Sequence, residues 1–123
     1  MYQFVVLAHD FPEPHLDFFL ETSATGPLRS FRLSAWPTSG YPVDLLVTPD
    51  HRRIYLQYEG PVSGGRGTVR RLDAGHYQLQ REEERRLVLR LFGQALSGLA
   101  ILAWDDSGHG SFCLQSDSAV EDG

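Results

Sequence analysis

Apolar and polar residues alternate along most of this chain with the two-residue period of extended backbone. Residues 3–8 form a β-rich run, residues 15–21 begin in near-alternation, and residues 28–33 alternate apolar with polar. Residues 68–72 alternate more weakly, and 75–80 and 86–92 follow the same pattern. Residues 99–104 are a continuous apolar run, which predicts a strand buried on both faces, and 111–115 make a short last strand. Turn signals separate these runs: Thr25-Gly26-Pro27, residues 38–42, Ser63-Gly64-Gly65, Asp73-Ala74-Gly75 and residues 107–110. The stretch Arg81-Glu82-Glu83-Glu84-Arg85 lies between two alternating runs, so it reads as the polar tip of a hairpin and not as a helix start. The pattern predicts an all-β chain, a compact single-domain β-barrel of about eight short, mostly antiparallel strands with little helix. The barrel is expected over residues 1–115, with residues 116–123 as an acidic flexible tail.

A chain of 123 residues holds one core and no second domain. No apolar run approaches the length of a membrane span, and the N-terminal residues read as a first strand, not as a signal peptide. One cysteine, Cys113, excludes an internal disulfide and any multi-cysteine zinc site, and it fits a reducing cytoplasm. Flanked by Phe112 and Leu114, it reads as a strand residue.

The net charge of −5 argues against strong non-specific nucleic-acid binding. The charge is unevenly spread. Asp105, Asp106, Asp117, Glu121 and Asp122 account for the whole of that −5, so residues 1–104 are neutral overall. Within them, residues 51–71 set Arg52, Arg53, Arg66, Arg70 and Arg71 against Glu59, a local +4 that suits either an anionic ligand or a solvated strand face. Every basic residue other than histidine is arginine, so a site that needs lysine cannot be filled from this chain.

The chemistry concentrates near the N-terminus. In a strand, residues two apart point to the same side, so His15 and Asp17 share one face while Leu16 and Phe18 share the core-facing one. His9 ends the first strand, and residues 10–14 form a rigid connection able to bring it beside His15. Two imidazoles and a carboxylate suit a first-row divalent metal such as manganese, iron or zinc, and three protein ligands leave positions open for water or substrate. Spacing by itself also accommodates ordinary surface histidines. Asp50-His51 reads as a turn before a strand. His76 and His109 read as exposed, Glu13 as a solvated loop carboxylate, and Trp36 and Trp104 as core or rim residues and not as a base-stacking platform.

Phe4-Val5-Val6-Leu7-Ala8-His9-Asp10, followed by His15-Leu16-Asp17-Phe18-Phe19-Leu20-Glu21, resembles the opening of the 3′-phosphoesterase domain of bacterial DNA ligase D. That family reads Phe-Val-Val-x-x-His-Asp and then His-Tyr-Asp-Phe-Arg-Leu-Glu at the same separation. Further on, Leu28-Arg29-Ser30-Phe31, Asp50-His51, Tyr58-Glu59-Gly60, Gly67-Thr68-Val69 and the run from Leu96-Ser97-Gly98 are similar to family segments in the same order. The resemblance implies a compact barrel with a manganese site. It implies that His9, His15 and Asp17 correspond to metal ligands, and that His51 corresponds to a histidine at the scissile phosphate. It also implies an activity that trims DNA 3′ ends, alongside DNA ligase and polymerase repair proteins.

The pattern departs from the family where phosphate is clamped. Phe19 stands where the family has arginine, Ala35 where it has lysine, and Val43 falls near a further family arginine; the family's glutamate-bearing loop is shortened to residues 62–67. Arg32, Arg52 and Arg66 are the available substitutes, although none sits at a matching position. A transition-state donor is worth about 100- to 1,000-fold in rate, so losing several weakens the family reaction unless other groups replace them. Two expectations follow: a manganese- or zinc-dependent phosphoesterase acting on DNA 3′ ends or another phosphate ester, or a catalytically degenerate barrel that serves as a binding or scaffold module in DNA end processing.

Overall fold

The structure, a computed structural model, describes residues 1–117. They form nine strands: β1 (Tyr2–His9), β2 (His15–Glu21), β3 (Leu28–Leu33), β4 (Val43–His51), β5 (Gly60–Pro61), β6 (Thr68–Glu83), β7 (Arg86–Gly93), β8 (Ser97–Trp104) and β9 (His109–Ser116). A single 3₁₀ turn, Arg53–Leu56, interrupts them, and there is no α-helix among the described residues. All nine belong to one antiparallel sheet in the order β1-β2-β3-β4-β9-β8-β7-β6-β5, and β1 also pairs with β6, so the sheet closes in a ring. Closure leaves few unpaired strand edges.

Strand alternation sorts side chains to the two faces of the ring. Phe4, Val6, Phe18, Leu20, Phe31, Leu33, Leu89, Leu91, Leu102 and Phe112 point inward and form the main core. The opposite face is also covered near β1 and β2: Val5, Leu7, Phe19, Leu28, Leu56 and Val69 form a second apolar cluster, with Tyr55, Tyr58 and Val62 against it. Leu16 and Phe18 face the main core as the alternation predicts. The face carrying His15 and Asp17 is therefore a partly buried surface under the 3₁₀ turn and the chain that follows it.

Four local expectations are corrected. Asp73-Ala74-Gly75 is not a turn: the runs 68–72 and 75–80 are one continuous strand, β6, which pairs with β1 over its first half and with β7 over its second. A bulge opposite Val6 and Leu7 and a close approach at Gly75 let it bend between partners; a Cβ there would lie 2.1 Å from the Phe92 carbonyl oxygen. Residues 43–51 are a strand that alternation did not mark, because Pro49 and a bulge against β3 break the pattern; His51 thus ends β4, opposite Leu28, and does not precede a strand from a turn. β8 is not buried on both faces: Gly98, Ala100 and Leu102 are buried, whereas Leu99, Ile101 and Ala103 are half-exposed. Ser116 belongs to β9, opposite Gly98, and Asp117 pairs with Arg90 at 3.0 Å; the rest of the expected tail, 118–123, lies outside the described residues. The hairpin tip at residues 84–85 and the strand position of Cys113 are as predicted.

Glu21, buried at the end of β2, accepts from the Gln3 N–H at 2.9 Å and pairs with Arg53, whose guanidinium also donates to the Ser23 carbonyl at 3.0 Å. Burial works against its charge, but the Gln3 and Arg53 hydrogen bonds outweigh that and hold the carboxyl below its ordinary 4.5. A depressed folded-state value stabilises the fold above pH 4.5, and this contribution is lost as pH falls through the folded value. Between pH 6 and pH 3 the wild-type melting temperature is therefore expected to drop by more than that of Glu21→Gln, measured by thermal denaturation at both pH values.

Candidate metal centre

The antiparallel pairing of β1 and β2 sets His9 directly opposite His15, with Asp17 two residues along β2 opposite Leu7 and, on its other side, Arg32 of β3. Facing residues on such a pair have Cβ atoms about 4.5–5.5 Å apart, so the backbone alone brings three donors together. One ligand atom from each residue lies within 4.8 Å of the others, and the imidazole rings are 5.0 Å apart, edge to face. On a metal with bonds of about 2.1 Å the widest ligand pair spans about 4.2 Å, so small side-chain rotations complete the set.

The hydrogen bonds around the histidines fix which nitrogen of each ring faces Asp17. His9 Nε2 lies 2.8 Å from the Arg66 carbonyl oxygen, and His15 Nδ1 lies 2.7 Å from that of Glu13. A carbonyl only accepts, so both of these nitrogens carry hydrogen and donate. His9 Nδ1 and His15 Nε2 face Asp17, at 3.2 Å from Oδ2 and 3.1 Å from Oδ1; the first is within hydrogen-bond geometry of the carboxylate and donates to it when protonated, and in a neutral ring either atom presents a lone pair. Backbone carbonyls that orient imidazoles in this way are the usual support of a metal-bound histidine. His15 Nε2 is buried and misaligned with the carboxylate, and it has no hydrogen-bond partner among the described residues. Lone pairs aimed at a carboxylate that is 3% exposed repel unless a proton or a cation lies between them. The donor set and its unpartnered atom fit a divalent metal ion.

Two connections hold this arrangement. Asp10 accepts the Thr68 N–H at 2.7 Å and ties the β1–β2 connection to the start of β6. Gly67 sits beneath it at a φ of +78°, where a Cβ would lie 2.2 Å from Asp10 Oδ1 and 2.6 Å from Phe11 Cβ, so glycine is required by both backbone and space. Arg66, which supplies the carbonyl to His9, is itself fixed by its Nε donating to the Ser63 carbonyl at 2.7 Å.

A cleft of about 220 Å³ opens beside the triad, lined by His9, Asp17, Arg32, His51, Tyr55 and Arg66, with Phe11, Phe19, Val62 and Val69 as its apolar wall. His51 Nδ1 donates to the Pro49 carbonyl at 2.9 Å, which leaves Nε2 as acceptor, and its ring packs 4.7 Å from Phe19. Arg32 Nε is buried without a hydrogen-bond partner among the described residues. Of the arginines expected to replace the missing clamp, Arg32 and Arg66 therefore reach this cleft. Arg52 lines a separate small cleft with Ile54, Tyr58 and Pro61.

Several residues at the site carried no signal in the alternation. Tyr55 arrives through the 3₁₀ turn, and Arg66 acts on His9 through its main chain. Glu13 matters through its carbonyl and not its carboxylate. His76 and His109 are exposed, as expected. His109 does meet a serine and an aspartate, but Ser107 Oγ donates to Asp105 at 2.6 Å and lies 3.0 Å from His109 Nδ1. The serine hydroxyl and the His109 main-chain N–H, not the imidazole, contact the carboxylate, so the cluster braces the β8–β9 turn and lacks the order of a nucleophilic triad.

In comparisons with known proteins, the sequence matches no family model and no curated protein. No helix among the described residues is long and apolar enough to cross a membrane.

Proposed function

We propose that this domain is a metal-dependent phosphoesterase that acts on phosphate esters at DNA 3′ ends, in the manner of the ligase D 3′-phosphoesterase domain that its motifs resemble. One observation carries the reading: on either side of Asp17, the buried His15 Nε2 and the buried Arg32 Nε have no hydrogen-bond partner among the described residues, the first a site for a cation and the second for an anion. A bound metal and a phosphoryl group together supply both. Manganese is the first choice of metal for these donors and zinc the second. A divalent ion held by His9, His15 and Asp17 would supply Lewis-acid polarisation and a water of lowered pKa. Arg32 and Arg66 offset charge on the phosphoryl oxygens, from the floor and the rim of the cleft respectively. His51 Nε2 accepts or returns a proton at the ester, while Phe11, Phe19 and Val62 limit water.

Phe19 and Ala35 favour a second reading, in which the domain binds the phosphate ester, alone or beside ligase and polymerase repair proteins, without cutting it. Incubation of the purified protein with manganese and a primer-template bearing a 3′-phosphate or a terminal ribonucleoside separates the two. We expect manganese-dependent release of phosphate or nucleoside, reduced by at least about 100-fold in His15→Ala. No release from wild-type protein, with a competent phosphoesterase run in parallel, rejects hydrolysis in favour of binding.

A further inference from the structure

His9 and His15 both line a second cleft, and of the two only His9 also borders the smaller one. The second cleft measures about 480 Å³ and is bounded by Trp36, Arg70, Ala35 and Pro14. Against the expectation from sequence that Trp36 is no base-stacking platform, we propose that this cleft seats the nucleoside part of the substrate, with its base stacked on Trp36 and Arg70 beside it. The proposal rests on the phosphoesterase reading for the phosphoryl half of the substrate, and it adds where the rest of the molecule lies.

The size of the clefts divides the labour. The smaller one, at about 220 Å³, suits a phosphoryl group and little more, whereas the larger falls within the range of about 300–1,000 Å³ typical of small-molecule sites. Both clefts border His9, so an ester oxygen at the metal ligands can carry phosphorus into one cleft and its alcohol into the other. The larger cleft also has the chemistry of a base seat. Trp36 is 37% exposed although tryptophan is usually well covered, and it presents an indole at the rim. Ala35 beside it leaves the approach open. Arg70 is exposed and its side chain makes no ion pair or hydrogen bond among the described residues, so its guanidinium is free to stack on a base or to meet a backbone phosphate. Every base has a π-face, so this seat selects for an aromatic nucleoside without reading its identity.

The seat and the phosphoryl site are tested separately on the intact protein. Adenosine, which has no phosphate, and adenosine 3′-monophosphate are titrated while tryptophan emission is followed, with glycerol phosphate as the non-aromatic control. Inorganic phosphate is followed by manganese-induced broadening of its phosphorus resonance. We expect saturable quenching by adenosine and by the nucleotide, absent with glycerol phosphate and lost in Trp36→Ala, together with at least about a fivefold loss of nucleotide affinity in that variant. Because Trp36 is exposed, replacing it leaves the core intact, and an unchanged circular-dichroism spectrum checks this. Phosphate broadening with no response to adenosine, and equal nucleotide affinity in Trp36→Ala, overturns the seat and leaves the phosphoesterase reading standing. Adenosine quenching without phosphate broadening does the reverse.

Discussion

Manganese at about a hundred times its Kd is expected to raise the melting temperature by roughly 10 °C, and Asp17→Ala to abolish the rise. The size follows from linkage: a ligand that binds the folded state at that excess adds about 2.7 kcal/mol, and each kcal/mol moves the midpoint by a few degrees in a domain of this length. Asp17 is decisive because it touches both histidines and carries the charge of the set. Without metal, the variant is expected to melt within a few degrees of wild type, since removing the carboxylate also removes what the two lone pairs repel. Differential scanning fluorimetry with and without manganese reads both effects. An unmoved wild-type midpoint at saturating manganese rejects the site.

Replacing Asp73 by alanine is expected to destabilise the domain by about 3–5 kcal/mol, one of the largest single effects available outside the apolar core. This buried carboxylate accepts three main-chain N–H groups, from Gln94 at 3.0 Å, Ala95 at 3.2 Å and Leu96 at 2.8 Å, and so organises the β7–β8 turn from a neighbouring strand. Alanine leaves all three donors without their acceptor. Asparagine keeps one oxygen and sets an amide against the third donor, so it is expected to fall between the two. Urea denaturation of the three proteins measures the ranking; an alanine variant within 1 kcal/mol of wild type, on the order of a single hydrogen bond, contradicts it.

Asp73 also marks where the sequence misleads. Asp-Ala-Gly is turn chemistry, and its aspartate does serve a turn, but that turn lies some twenty residues further along the chain, between β7 and β8. Local signals report what a residue can bond, not which segment supplies the partner. The clustering of His9, His15 and Asp17 was legible for the opposite reason. His9, His15 and Asp17 lie on two consecutive strands joined by a short connection, so strand period and connection length together settle which faces meet. The cleft beside it was not legible, because Tyr55 and the Arg66 carbonyl arrive through a 3₁₀ turn and a glycine-rich loop that carry no period. β4 was missed because Pro49 and its bulge interrupt the alternation that revealed its neighbours.

The second apolar cluster makes positions 19 and 35 unequally tolerant of a new cation. Phe19 is buried in that cluster, packed beneath His51, whereas Ala35 is exposed at the rim of the larger cleft. A lysine can be placed at position 35 by a single surface change. An arginine at position 19 must displace a buried ring and put a charge among Val5, Leu7 and Leu28. A cation at position 35 is thus within reach of one surface mutation, whereas position 19 is closed to one, because the domain needs that phenylalanine to hold its fold.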